Sequence, residues 1–258
     1  MPQIQLKNVA LNYQLNGPNT APVIVFSHSL GVNLNMWDPQ AESLSLKYRV
    51  LRYDMRGHGA SSVPSGPYNI EQLGTDVIDL LDALKIDKVY FCGLSIGGVT
   101  GQWLGLHASS RLNKLILSNT AAKIGTDESW NKRIADVNAS GLGPVADGVL
   151  SRWFTPPFAR DNAPTISRFR QIFLSTTSAG YTASCAAIRD FDFRQSLSGI
   201  RVPTCIIAGD QDPVSSIEDA RFLQSGIPNS QLVTLPAAHI SNVEAASLFN
   251  TAVSNFLG

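Results

Sequence analysis

A chain of 258 residues with 20 basic and 20 acidic side chains carries no net charge, and no run of Lys or Arg exceeds two residues. That balance argues against a nucleic-acid footprint or an anionic membrane surface and leaves a small molecule as the expected partner. The length suits one large domain, or a domain with an insertion, able to bury a sizeable core, and no apolar run approaches the ~18 residues of a membrane span.

The N-terminal stretch MPQIQLKNVALNYQ lacks the basic head and apolar run of a secretion signal, so a cytoplasmic protein is expected. Ile4, Leu6, Val9, Leu11, Tyr13 and Leu15 alternate with polar residues and predict two antiparallel strands leading into the turn NGPN. From there the pattern changes to short, continuously apolar runs: Val23–Phe26, Val50–Tyr53, Val89–Cys92, Leu115–Leu117, Cys205–Ala208 and Leu232–Leu235. Such runs suit strands buried on both faces of a parallel sheet. Between them lie helical patterns. In NIEQLGTDVIDLLDAL a 3.6-residue stripe joins Leu73, Val77, Leu80, Leu81 and Leu84, with Asn69 and Gln72 at capping-box spacing. GQWLGLHA after Val99 and the final VEAASLFNTAVSNFL read the same way, and Ser241 with Glu244 repeats the capping-box spacing before the last helix. Alternating β and α segments with right-handed crossovers predict an open, mostly parallel sheet covered by helices on both faces. Residues 123–198 break the alternation with helix-like pieces rich in aromatics, too long for an ordinary connection, which predicts a helical insertion over the sheet. The expected division is therefore a core of residues 1–122 and 199–258 and a helical lid of residues 123–198.

The run Val89–Cys92 leads directly into Gly93-Leu94-Ser95-Ile96-Gly97, which has the form G-x-S-x-G. A serine on a sharp strand-to-helix turn at the C-terminal end of a central parallel strand sits where open α/β sheets bind ligands, and its neighbours two positions away come too close for side chains. No G-x-G-x-x-G opens the first βα unit and no GK[ST] follows, so dinucleotide and phosphate loops do not fit. A serine nucleophile needs a base, held in one tautomer by a carboxylate. Of the four histidines, His28 and His58 precede Ser95 and His107 lies in the helix after it, where a structural role is expected. His239 follows the last strand at the same sheet edge and is the expected base. In CIIAGDQDPV both Asp210 and Asp212 follow a strand end; Asp210 suits a turn cap, and Asp212, further out, is preferred for reaching the histidine. The oxyanion donors are expected to be the backbone N–H groups of Ile96 and of Leu30, in the loop after VIVFSH, with His28 as an organiser of that loop. Cys92, Cys185 and Cys205 are odd in number and widely spaced, which argues against a disulfide framework or a zinc site and suits buried small hydrophobes.

GLSIGG, DMRGHGAS, AGDQD and the histidine loop together make the chain resemble an α/β-hydrolase over nearly its whole length. SHSLGVNLNMWDPQ, VLRYDMRGHGAS, FCGLSIGGVTGQW, RWFTPPF and AAHISNVE bring it close to the 3-oxoadipate enol-lactonases of bacterial aromatic degradation, in the form without an appended decarboxylase domain. Ser29 stands where most α/β-hydrolases have a glycine after the oxyanion-loop histidine, a departure that those enol-lactonases share. The resemblance implies attack by Ser95 on a lactone carbonyl, His239 as general base, an acyl-enzyme released by water, and no metal or organic cofactor. It also implies a cation or donor for the free carboxylate of the substrate. Arg133 and Arg152, beside Trp130 and Trp153, are candidates by composition, with a solvated or lid-packing arginine as the competing reading. Rival functions are another carboxylesterase or a perhydrolase on the same scaffold, a butenolide receptor with slow hydrolysis, and an inactive scaffold. The oligomeric state is left open.

Overall fold

The computed structural model describes residues 3–258; Met1 and Pro2, the first residues of the expected core, lie outside the described residues. The chain opens with the strands β1 (Gln3–Gln5), β2 (Ala10–Asn16) and β3 (Val23–Ser27). Helix α1 (Asp38–Leu44), strand β4 (Arg49–Tyr53), helix α2 (Ile70–Ala83), strand β5 (Val89–Leu94), helix α3 (Ile96–His107) and strand β6 (Leu112–Ser118) follow. Five helices come next: α4 (Asp127–Ser140), α5 (Gly143–Trp153), α6 (Pro156–Asp161), α7 (Ala163–Ser175) and α8 (Ser178–Asp190). The chain then returns to the sheet through β7 (Thr204–Gly209), α9 (Ile217–Gly226), β8 (Ser230–Leu235), α10 (Ser241–Glu244) and α11 (Ala246–Leu257).

The strands form one eight-stranded sheet in the order β1-β2-β4-β3-β5-β6-β7-β8. Only the β1–β2 and β2–β4 pairs are antiparallel; all the others are parallel. From β3 the chain steps outward to β4 and then returns to place β5 on the other side of β3, so the topological switch falls between β3 and β5. Ligand sites of open α/β sheets lie beyond the strand ends at that switch. The central strands carry the apolar runs, and Ile24, Val25, Phe26, Phe91, Cys92, Leu115 and Ile116 are fully buried. The run Leu232–Leu235 departs from the expectation of full burial: β8 is the sheet edge, and Leu232 and Val233 are only partly covered.

Local chemistry explains the helices. Asn69 caps α2 through the expected box, accepting from the Gln72 N–H at 2.8 Å while the Gln72 side chain accepts from the Asn69 N–H at 3.0 Å. Ser241 and Glu244 form no such box. The Ser241 hydroxyl donates to Asn119 Oδ1 instead, and Glu244 accepts from the Ala238 N–H at 2.9 Å and the Thr155 N–H at 3.1 Å. The predicted last helix is accordingly split at Ala245 into the single turn of α10 and the longer α11. Tertiary hydrogen-bond partners outcompeted the local cap.

The five helices between β6 and β7 are fastened to the loops at the C-terminal ends of the strands. Tyr68 N–H donates to Ala183 O at 3.1 Å, Ile240 N–H to Trp153 O at 2.9 Å, and Phe193 N–H to Ala122 O at 2.9 Å. Gly57 and Gly180 meet backbone to backbone, and a Cβ on Gly180 would lie 2.1 Å from Gly57 O. Because backbone cannot swing aside as a side chain can, Gly180→Ala should cost about 1–3 kcal/mol, the range for overpacking. Thermal unfolding is expected to fall by roughly 2–4 °C for each of those kcal/mol. An unchanged Tm would show that this contact yields freely.

Candidate active site

Ser95 occupies the turn between β5 and α3 with φ 59° and ψ −119°. L-residues rarely adopt this backbone region, and holding one there costs on the order of 1–3 kcal/mol unless the surroundings fix it. Here they do. Ser95 N–H donates to Ser118 O at 3.0 Å, and Ser95 O accepts from Thr120 Oγ1 and from the Val99 N–H, both at 2.9 Å. The turn is so tight that a Cβ on Gly93 would lie 2.0 Å from Gly97 O, and one on Gly97 would lie 2.2 Å from Ser27 O. Glycine is therefore required at both positions.

The loop after β8 brings His239 to the same edge. Its Nδ1 lies 2.8 Å from Asp212 Oδ2. An ionised carboxylate can only accept, so Nδ1 carries the proton and Nε2 keeps a free lone pair. Asp212 also accepts from Asn119 Nδ2 at 3.0 Å, Ser215 Oγ at 2.7 Å, and the N–H groups of Val214 at 2.8 Å and Ser215 at 3.2 Å. Burial pushes this carboxyl up, but His239 and those donors outweigh it and hold the acid at about 2. Asp210 is exposed, and its carboxylate forms no hydrogen bond among the described residues. The structure thus brings Asp212, not Asp210, to the histidine. No hydrogen bond joins Ser95 Oγ to His239 within 3.5 Å among the described residues, although both line one cavity of about 220 Å³. Such bonds are often long before substrate arrives.

Leu30 and Ser29 line the same cavity from the loop after β3. Among the described residues the N–H groups of Leu30 and Ile96 donate to no other group. The opposite wall comes from the inserted helices through Trp130, Arg133, Arg152, Trp153 and Tyr181. Trp130 is held by a 2.7 Å hydrogen bond from Nε1 to Ile124 O, and Trp153 packs edge-on against Phe169 and Phe173. Arg133 donates to the Tyr181 hydroxyl at 3.2 Å and Arg152 Nε to Gly148 O at 3.0 Å. Neither guanidinium has a carboxylate partner among the described residues. Arg152 is pushed below its ordinary range by burial and then by the like charge of Arg133. The wall is an uncompensated positive patch facing the serine.

The other histidines lie elsewhere. His107 ends α3 with its ring 5.1 Å from that of Trp103. His28 and His58 are buried in the loops after β3 and β4; burial lowers them to about 4 and about 3, the second also through the nearby His28. The three cysteines are buried and unpaired, and burial raises every thiol, Cys185 to about 12, which suppresses thiolate chemistry. Asn119 and Ser215 escaped the sequence reading, which marks Glu244 only as a helix cap. Asn119 left a usable signal, a short polar residue at the end of a core strand like Ser95, and Ser215 left another, three residues past Asp212.

The comparisons with known proteins agree on one family. A family model described as the alpha/beta hydrolase fold matches residues 22–246. The chain is 47% identical to 3-oxoadipate enol-lactonase 2 of Acinetobacter baylyi over 96% of this chain and 92% of that one. It superposes on the crystal structure of the enol-lactonase from Burkholderia xenovorans LB400 with a TM-score of 0.98 at 42% identity, covering 99% of each chain. An esterase from Exiguobacterium antarcticum shares the fold at a TM-score of 0.90 and 26% identity, again over 99% of each chain.

The titrations set a pH dependence. Asp212 and both buried histidines bind fewer protons folded than unfolded, so stability falls as pH falls. The histidines act from their unfolded value of 6.5 down to about 4 and about 3, and Asp212 from 3.8 down to about 2. Tm should therefore decline steadily from about pH 6.5 to pH 4 and go on falling to about pH 3; a flat profile between pH 6.5 and pH 4 would contradict the assignment of neutral buried imidazoles.

Proposed function

The chain belongs to the α/β-hydrolase family and groups within it with the 3-oxoadipate enol-lactonases, and from that premise we infer that it is a serine hydrolase converting 3-oxoadipate enol-lactone to 3-oxoadipate. The observation that carries the chemistry is the strained Ser95 sharing a cavity with the Asp212-bound His239.

Ser95 Oγ attacks the lactone carbonyl while His239 Nε2 takes its proton. Negative charge develops on the carbonyl oxygen, which accepts hydrogen bonds from the Leu30 and Ile96 N–H groups; each such donor supplies on the order of 10²–10³ in kcat. The tetrahedral intermediate collapses with cleavage of the acyl–oxygen bond of the ring, and the imidazolium returns its proton to the departing enol oxygen. Tautomerisation of the enol to the ketone makes that departure favourable. Water, deprotonated by the same His239, attacks the acyl-Ser95 ester; the acyl–Oγ bond breaks, the imidazolium returns its proton to Ser95 Oγ, and the second carboxyl group leaves and ionises to a carboxylate. Lactone plus water balances to 3-oxoadipate.

The five helices of residues 123–198 serve as the lid that carries specificity. Arg133 and Arg152 bind the free carboxylate of the substrate, with Trp130 and Trp153 as the apolar wall around the ring; what supports this role is that neither cation has an acidic partner among the described residues. The enol-lactonase activity in the names of the relatives goes with a cytoplasmic location for this chain.

Initial rates on enol-lactone generated in situ, beside a neutral p-nitrophenyl ester, test the assignment. Fast loss of the lactone, abolished in a folded Ser95→Ala variant, is expected together with slow ester cleavage; serine-dependent ester cleavage without lactone turnover would leave a hydrolase of another substrate. Arg133→Ala and Arg152→Ala remove a charged hydrogen bond of roughly 1.5–3 kcal/mol, so KM for the lactone should rise about 10–100-fold with little change on the neutral ester. Equal effects on both substrates would take the arginines out of the carboxylate site.

A further inference from the structure

The loop after β3 and the loop after β4 are fastened to each other by two histidines that no step of the reaction consumes. His28, in the first loop, accepts the Met55 N–H on Nε2 at 2.9 Å. His58, in the second, accepts the Gly31 N–H on Nε2 at 3.0 Å. With both Nε2 atoms accepting, each Nδ1 carries the proton and donates to a carbonyl, His28 to Ser29 O at 2.7 Å and His58 to Arg56 O at 3.2 Å. The rings lie 5.2 Å apart and are buried. Each loop thus lends an imidazole to the other's backbone.

We propose that this reciprocal pair holds the Leu30 N–H in place as an oxyanion donor, and that His58, which touches no substrate, is a positioning residue for the transition state. The inference rests on the acyl-enzyme reading of Ser95. Leu30 lies between two tethered amides: the Ser29 N–H reaches Met36 Sδ, a weak acceptor at 3.3 Å, and the Gly31 N–H reaches His58. The stronger of the two tethers is therefore the imidazole. Gly31, at φ 76°, is also pressed so closely that a Cβ would lie 2.7 Å from the Phe173 ring. The second loop is itself rigid, because Asp54 accepts from the Leu34 N–H at 2.7 Å, the Ala60 N–H at 2.9 Å and Asn12 Nδ2 at 2.7 Å. Oxyanion donors act only if fixed before the charge forms, and a misplacement of about 1 Å can cost about 10²-fold in rate. Without its acceptor, the buried Gly31 N–H would seek another partner and carry Leu30 with it.

His58→Phe keeps a ring without an acceptor, and His58→Gln returns an amide oxygen near the place of Nε2. The readouts are Tm, kcat and KM on the enol-lactone, adipate affinity as a ground-state probe, and inhibition by phenylboronic acid, which forms a tetrahedral adduct on an active serine. His58→Phe should lower kcat about 10–100-fold and weaken phenylboronic acid by a similar factor, while KM and adipate affinity stay within about threefold. His58→Gln should recover kcat to within about fivefold of the parent. A folded His58→Phe with parental kcat overturns the proposal, as does a loss of kcat with boronate affinity intact, or a Gln variant no better than Phe. Should the Phe ring fail to pack, His58→Asn, whose shorter amide stops short of Gly31, replaces it with the same outcomes. Ser95→Ala is measured alongside: turnover that survives it removes the acyl-enzyme reading itself, a result that no His58 variant can produce.

Discussion

One backbone turn organises this molecule. Ser95 sits at φ 59° where β5 ends and α3 begins, and the turn persists because its neighbours leave no alternative. Gly93 and Gly97 vacate the space that the crossing backbones fill, and β6 supplies the carbonyl of Ser118 that fixes the Ser95 N–H. A strain of roughly 1–3 kcal/mol is small against the burial of the central strands, so the core can sustain it. The result is a hydroxyl displayed above the sheet, at the switch between β3 and β5 where two loops diverge and leave a cleft.

The electrostatics of the cleft divide into two regions that do different work. On the sheet side, Asp212 keeps its charge through His239 and neutral donors, with no arginine beside it among the described residues. An arginine there would neutralise the carboxylate that a transient imidazolium needs as its partner. On the side of the inserted helices, Arg133 and Arg152 stand without an acidic partner among the described residues and repel each other, a cost that an anionic ligand would relieve. Under the proposed function, charge on one wall serves the proton transfer and charge on the other attracts the ligand.

The inserted helices are also mechanically tied to the histidine loop. Glu244 accepts from Ala238, one residue before His239, and from Thr155, two residues after Trp153, while the Ile240 N–H reaches Trp153 O. The segment that presents the base and the segment that presents an aromatic wall are therefore held by the same few hydrogen bonds. Such a link makes the shape of the cavity and the placement of the imidazole one structural property, so a residue as remote from the serine as Glu244 bears on both.

The sequence by itself determined what depends on near neighbours along the chain. The period of its apolar residues marked the strands and most helices, the Asn69–Gln72 pair marked the start of α2, and the glycines around Ser95 announced the sharp turn. It also narrowed the histidines to His239 and the carboxylates to Asp210 and Asp212, because chain order and strand ends are local properties. What it could not supply was set by contacts between distant segments. The Ser241 and Glu244 spacing promised a cap, yet Asn119 and Thr155, brought near by the fold, captured both side chains. Asn119 joined the carboxylate cluster for the same reason, and Arg133 and Arg152 became a facing pair only when α4 and α5 packed over the sheet. The exchange of imidazoles between the loops after β3 and β4 follows from the adjacency of those strands in the sheet, which only the tertiary structure decided. Local pattern records the hydrogen bonds a residue can make; the fold decides which partner comes within reach.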